Sequence, residues 1–212
     1  MSSPASADAL MRLCPVIPVL TVERLEDAVP LALALVAGGL TVLEVTLRTP
    51  VAIEAIAMMA AAAPAAIVGA GTVLNRGDYD RALAAGARFI VSPGLTEPLI
   101  AAFRAAPLPF LPGVATATEV MRGLDAGLTR FKFFPAETSG GAPALKALFG
   151  PLGDVRFCPT GGIGASSAPA YLALPNVLCV GGAWVAPADA VAAGEWGRIT
   201  ALSRAAAGLR QD

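Results

Sequence analysis

Lys132 is one of two lysines in 212 residues, and it lies in Phe131-Lys132-Phe133-Phe134-Pro135, an aromatic run that reads as a buried strand. Burial disfavours an ammonium relative to the neutral amine. A neutral amine is a nucleophile, so the segment points to Schiff-base formation with a carbonyl substrate. The alternative is a lysine that snorkels from a strand end or is neutralised by a buried acid. Glu44 is a second such position. It stands in Leu43-Glu44-Val45-Thr46-Leu47-Arg48-Thr49, and a carboxylate inside an apolar strand is rare unless paired or working. It suits a general base, or a structural salt bridge to Arg48 or Lys132. Arg48 suits a bidentate grip on a substrate carboxylate, or a capping role on its loop.

Two glycine pairs add a possible anion site. Thr160-Gly161-Gly162-Ile163-Gly164 and Gly181-Gly182-Ala183 each follow an apolar strand, where bare backbone N–H groups can approach a phosphate. Glycines also serve plain tight turns, so each pair alone is weak. The other lysine, Lys146, sits on a helical stretch, Ala144-Leu145-Lys146-Ala147-Leu148-Phe149, and reads as a surface charge.

Composition narrows the chemistry. The chain has no histidine, which removes the commonest general base, the Ser/His and Cys/His nucleophile systems and most metal sites. Cys14, Cys158 and Cys179 are odd in number, far apart and each inside an apolar run, as expected of reduced core thiols in a cytosolic protein. Net charge is −1 and the arginines are scattered, so no basic footprint for nucleic acid exists. The uncharged apolar stretch Ala28 to Leu43 is broken by Pro30 and Gly38-Gly39 and is shorter than the ~20 residues of a membrane helix. Pro15 and Pro18 disrupt the only candidate for a secretory signal.

The elements that must hold these residues alternate from end to end. Strands are expected near Cys14–Leu20, Thr41–Val45, Ala66–Ala70, Arg88–Ser92, Pro109–Gly113, Arg130–Phe134, Val155–Pro159 and Val177–Val180, with a short helical segment before the first. Leu25, Val29, Leu33 and Val36 line one face of the first intervening helix. Thr49-Pro50 supplies an N-cap and first turn for the second, and Thr116 with Glu119 a capping box for the fifth. Ala37-Gly38-Gly39, Ala85-Gly86 and Ala126-Gly127 each end a helix with a glycine suited to the left-handed C′ position. The strands are continuous apolar runs, as in a parallel sheet covered by helices. Eight successive βα units favour one α/β domain over residues 1–212, a (β/α)₈ TIM barrel, over an open sheet. In a barrel, function gathers at the carboxyl ends of the strands, where Glu44, Arg48, Thr72, Ser92-Pro93-Gly94, Lys132 and both glycine pairs fall.

These residues, in this order, resemble the 2-keto-3-deoxy-6-phosphogluconate (KDPG) aldolase family, which includes the 4-hydroxy-2-oxoglutarate (KHG) aldolases. The resemblance runs from about Pro15 to Val185. It is most specific in Glu44-Val45-Thr46-Leu47-Arg48-Thr49, Gly69-Ala70-Gly71-Thr72-Val73-Leu74, Arg130-Phe131-Lys132-Phe133-Phe134-Pro135-Ala136-Glu137 and Pro159-Thr160-Gly161-Gly162. It implies a class I aldolase of Entner–Doudoroff type, working without metal or cofactor on a phosphorylated 2-oxo acid. In that reading Lys132 is the Schiff-base lysine and Glu44 the proton-transfer carboxylate. Arg48 and Thr72 hold the pyruvate carboxylate, and Pro93 and Phe134 shape the wall. Thr160, Gly161, Gly162 and the backbone near Gly182 face the phosphate end. The resemblance also implies a homotrimer, and the location expected is the cytoplasm.

One departure stands out: the family usually has serine where this chain has Ala183. A hydrogen bond to a charged group is worth about 1.5–3 kcal/mol, so KHG or the galactonate-derived epimer is an alternative substrate. A reading from a different class is a phosphosugar isomerase, epimerase or ligand-binding barrel in which Glu44 works alone.

Overall fold

The computed structural model describes residues 6–209. The outermost limits of the expected domain, 1 and 212, lie outside the described residues. A short helix, Ala7–Met11, precedes the first strand.

Nine parallel strand segments follow: β1 (Val16–Leu20), β2 (Val42–Thr46), β3 (Ile67–Gly71), β4 (Ile90–Val91), β5 (Phe110–Leu111), β6 (Gly113–Val114), β7 (Arg130–Phe133), β8 (Arg156–Pro159) and β9 (Val180–Gly182). One sheet runs β5-β4-β3-β2-β1-β9 and the other β6-β7-β8. Both joins close. On one side the bridges Phe157↔Val177 and Thr160↔Gly181 tie β8 to the approach and body of β9. On the other, β5 and β6 are halves of the fifth barrel strand, broken at Pro112, whose carbonyl accepts the Lys132 N–H at 2.9 Å. The eight expected strands are therefore present, but the fifth is split because proline cannot donate to a ladder. The last is shifted: Val177 makes only an isolated bridge, and the paired strand starts at Val180.

The helix ends follow local chemistry. Gly39, Gly86 and Gly127 take φ of 96°, 87° and 81°, the left-handed conformation in which glycine avoids a Cβ clash. Thr116 and Glu119 form the expected capping box. Two helix expectations fail. Thr49 does not cap the second helix, which begins at Ala52; its hydroxyl donates instead to the Val22 carbonyl at 2.6 Å, so a tertiary partner takes the oxygen. The buried face of the helix Leu25–Ala37 is Ala28, Leu31, Ala32 and Leu35, whereas Leu33 is 47% exposed. That helix is apolar nearly all round, so periodicity alone does not choose which stripe meets the barrel.

Candidate active site

Glu44 and Lys132 lie on β2 and β7, the second and sixth strands of the barrel, which face each other across its interior. Side chains from alternate strands share a layer in such barrels, and here the two meet. Lys132 Nζ donates to Glu44 Oε1 at 3.1 Å, with the residues 5% and 3% exposed. The nitrogen also lies 5.2 Å from the centroid of the Phe134 ring. Taking two charges out of water costs several kcal/mol per ion before their attraction is counted. Among the described residues, Glu44 is the one hydrogen-bond partner that Lys132 Nζ has. A nitrogen with a single anchor keeps room for a new bond.

Arg48 does not pair with Glu44. It is exposed on the loop after β2, and its Nε donates to Thr72 Oγ1 at 3.2 Å. Thr72 has φ 57°, a left-handed conformation that strongly disfavours a β-branched residue. Such strain costs on the order of 1–3 kcal/mol and collects at functional sites; here it aims the hydroxyl at Arg48. Pro93 is held nearby because the buried Ser92 hydroxyl donates to the Gly94 carbonyl at 2.7 Å. Gly113, the register partner of Lys132, lies so close that a Cβ there would overlap the Pro93 carbonyl.

The glycine pairs stand side by side. The bridge Thr160↔Gly181 joins their strands, and a Cβ at Gly181 would overlap the Thr160 hydroxyl. Gly161 and Gly162 take φ of +105° and +80°. A Cβ on Gly161 would sit 3.4 Å from the Phe134 ring, which links this turn to the lysine's neighbour. Ala183 is exposed beside them, and Lys146 is exposed elsewhere on its helix. All three cysteines are buried thiols rather than disulfides, and Cys158 is the β8 register partner of Lys132.

Two contributors escaped sequence reasoning. Gly71 makes room for the acid, since a Cβ there would overlap the Glu44 carboxylate. Its signal was present: glycine inside a strand marks close approach of another group. Trp184, half-buried, lies against Gly182 where a Cβ would stand, and no local pattern pointed to it. Among the described residues, no three His, Cys, Asp or Glu side chains form a group able to hold a metal ion. No helix there is long and apolar enough to cross a membrane.

The chain matches the family model for KDPG and KHG aldolase over residues 7–202. It is 55% identical over 201 residues to the 2-dehydro-3-deoxy-phosphogluconate aldolase of Dickeya dadantii (strain 3937), covering 95% of this chain and 94% of that one. The same identity and coverage hold for the KHG/KDPG aldolase of Escherichia coli (strain K12). Among solved structures it superimposes with a TM-score of 0.94, at 49% identity and over 96% and 98% of the two chains, on KDPG aldolase from Legionella pneumophila. That crystal structure holds pyruvate captured at low pH as a covalent carbinolamine intermediate.

Proposed function

Because the chain belongs to the KDPG and KHG aldolase family, we propose that it is a class I aldolase cleaving 2-dehydro-3-deoxy-6-phosphogluconate to pyruvate and glyceraldehyde 3-phosphate. The observation that carries the assignment of roles is the buried 3.1 Å contact between Lys132 and Glu44. Moving a proton from Nζ to Oε1 turns an ion pair into a neutral pair, leaving neither group charged and freeing the amine's lone pair.

That amine adds to the C2 ketone of the substrate, and Glu44 protonates the departing hydroxyl as the carbinolamine loses water. The resulting iminium is an electron sink. Glu44, again a carboxylate, takes the C4 hydroxyl proton while the C3–C4 electrons flow into the iminium, releasing the aldehyde and an enamine. Glu44 returns its proton to C3, and water hydrolyses the iminium to pyruvate and free Lys132. Arg48 and Thr72 hold the 2-oxo acid carboxylate, supported by their mutual hydrogen bond. Pro93 and Phe134 wall the pocket, and Thr160, Gly161, Gly162 and Gly182 receive the phosphate end.

Borohydride reduction in the presence of pyruvate should leave a three-carbon adduct on Lys132, mapped by mass spectrometry. An adduct only on Lys146, or none, would sink the assignment. Lys132→Ala should abolish both adduct and turnover with the fold retained. Ala183 offers no hydroxyl to a phosphate, which favours a second substrate, KHG; kcat/KM on the two substrates ranks them. We place the enzyme in the cytoplasm as a single-domain homotrimer. The three buried thiols support a reducing compartment, and light scattering on the purified protein tests the trimer.

A further inference from the structure

Glu137 stands beside the glycine turn that receives the phosphate end in the reading above, and an acid there should repel a phosphate. Its backbone is stitched to that turn: the N–H groups of Ala136 and Glu137 donate to the carbonyls of Thr160 and Gly161 at 2.8 and 3.1 Å. Its side chain lies on the turn as well. Chain neighbours aside, a Cβ built on Gly162 meets within 4 Å only Glu137 Cβ at 2.9 Å and Cγ at 2.6 Å, so the stem lies on the glycine while the carboxylate stands farther off.

What holds the carboxylate is Tyr171, on the helix Ala168–Leu172 that follows the turn. The tyrosine is 2% exposed, and its hydroxyl donates to Glu137 Oε1 at 2.7 Å. Gly141, at φ +62°, leaves space for the pair, because a Cβ there would come within 3.3 Å of the Tyr171 hydroxyl and 4.0 Å of Glu137 Oε2. Burial first, then the hydrogen bond to Glu137 and its charge, hold the phenol far above its ordinary pKa, so the hydroxyl stays a donor.

We propose that Tyr171 is a positioning residue that turns the Glu137 carboxylate away from Gly161-Gly162, keeping that turn open to a dianionic phosphate. This rests on the aldolase reading and deepens it. The test runs the reaction in the aldol direction, with pyruvate and either glyceraldehyde 3-phosphate or glyceraldehyde. Tyr171→Phe frees the carboxylate, so KM for the phosphorylated aldehyde should rise on the order of 10-fold. KM for glyceraldehyde should stay within about two-fold. Adding Glu137→Gln to Tyr171→Phe removes the charge and should restore the phosphorylated KM.

Glu137→Asp, whose shorter stem cannot span to Tyr171, should mimic Tyr171→Phe without touching the buried ring. That keeps the proposal testable if the tyrosine variant does not fold. The proposal is overturned if both aldehydes weaken together, or if Glu137→Gln fails to restore the phosphorylated one. A wild-type enzyme that forms no pyruvate adduct would instead sink the aldolase reading itself.

Discussion

Two cations stand two residues apart on β7, Arg130 at the amino-terminal rim and Lys132 deeper in the barrel, and each meets a carboxylate. Arg130 Nε donates to Asp8 Oδ1 at 2.6 Å, pinning the N-terminal helix beneath the barrel, with side chains 22% and 32% exposed. Its Nη1 donates to the carbonyls of Thr129 and Asp154. Lys132 meets Glu44 with side chains 6% and 4% exposed. The rim pair spreads its guanidinium over three acceptors and sits partly in water, where such a contact is worth about 0.2–1 kcal/mol. The inner pair is dry and singly anchored. The same type of contact is a latch where its valences are filled and water screens it; where neither holds, it is the pair proposed above to react.

The contrast breaks most sharply at the inner pair. Lys132→Met leaves the Glu44 carboxylate buried with no cation, and denaturant unfolding should show a loss of about 3–5 kcal/mol. Lys132→Met combined with Glu44→Gln should recover much of that stability while remaining inactive. If the single and double variants were equally unstable, the pair's burial would not be the cause.

A smaller effect is expected from Gly71→Ala, whose methyl group must displace the Glu44 carboxylate from the lysine. Misplacement of this size should lower kcat by about 10²-fold, with a stability cost of about 1–3 kcal/mol. Unchanged kcat would show that the carboxylate's exact position does not matter.

The smallest effect belongs to the rim. Hydrogen bonding to Arg12, opposed by burial and reinforced by Arg130, holds the Asp8 carboxyl below the ordinary aspartate range. The stabilisation it brings is present above the unfolded value of about 3.9 and is lost as pH falls through the lower folded value. Asp8→Asn should therefore cost about 0.2–1 kcal/mol near pH 7, with the deficit closing in acid and turnover unaltered. Thermal melts of both proteins at pH 7 and pH 3 check this; a deficit that persists at pH 3 would remove the ion pair as its source.

Much of this was legible in the chain because it depends on neighbours in sequence. The left-handed glycines that follow helices, Gly39, Gly86 and Gly127, the Thr116–Glu119 capping box and the apolar strands are local decisions of backbone sterics and hydrogen bonding. A lysine among phenylalanines and a glutamate among valines were conspicuous for a similar reason, since charge in an apolar run demands an explanation. The alternation of strand and helix then places each inside a barrel strand, Glu44 in the middle of β2 and Lys132 one residue short of the end of β7.

Partnership across the chain was not legible. Glu44 had two cations available in sequence, and only barrel closure, which sets β2 opposite β7, brings Lys132 to 3.1 Å while Arg48 turns to Thr72. Thr49 had the chemistry of a cap until Val22 offered its carbonyl, and the helix Leu25–Ala37 had two apolar stripes until the barrel wall selected one. Glu137 and Tyr171 lie 34 positions apart and meet only because the segments that follow β7 and β8 pack together. Local residue types determined which groups could react; long-range packing decided which of them touch, because contact between distant side chains is set by the closed ring of strands and not by spacing along the chain.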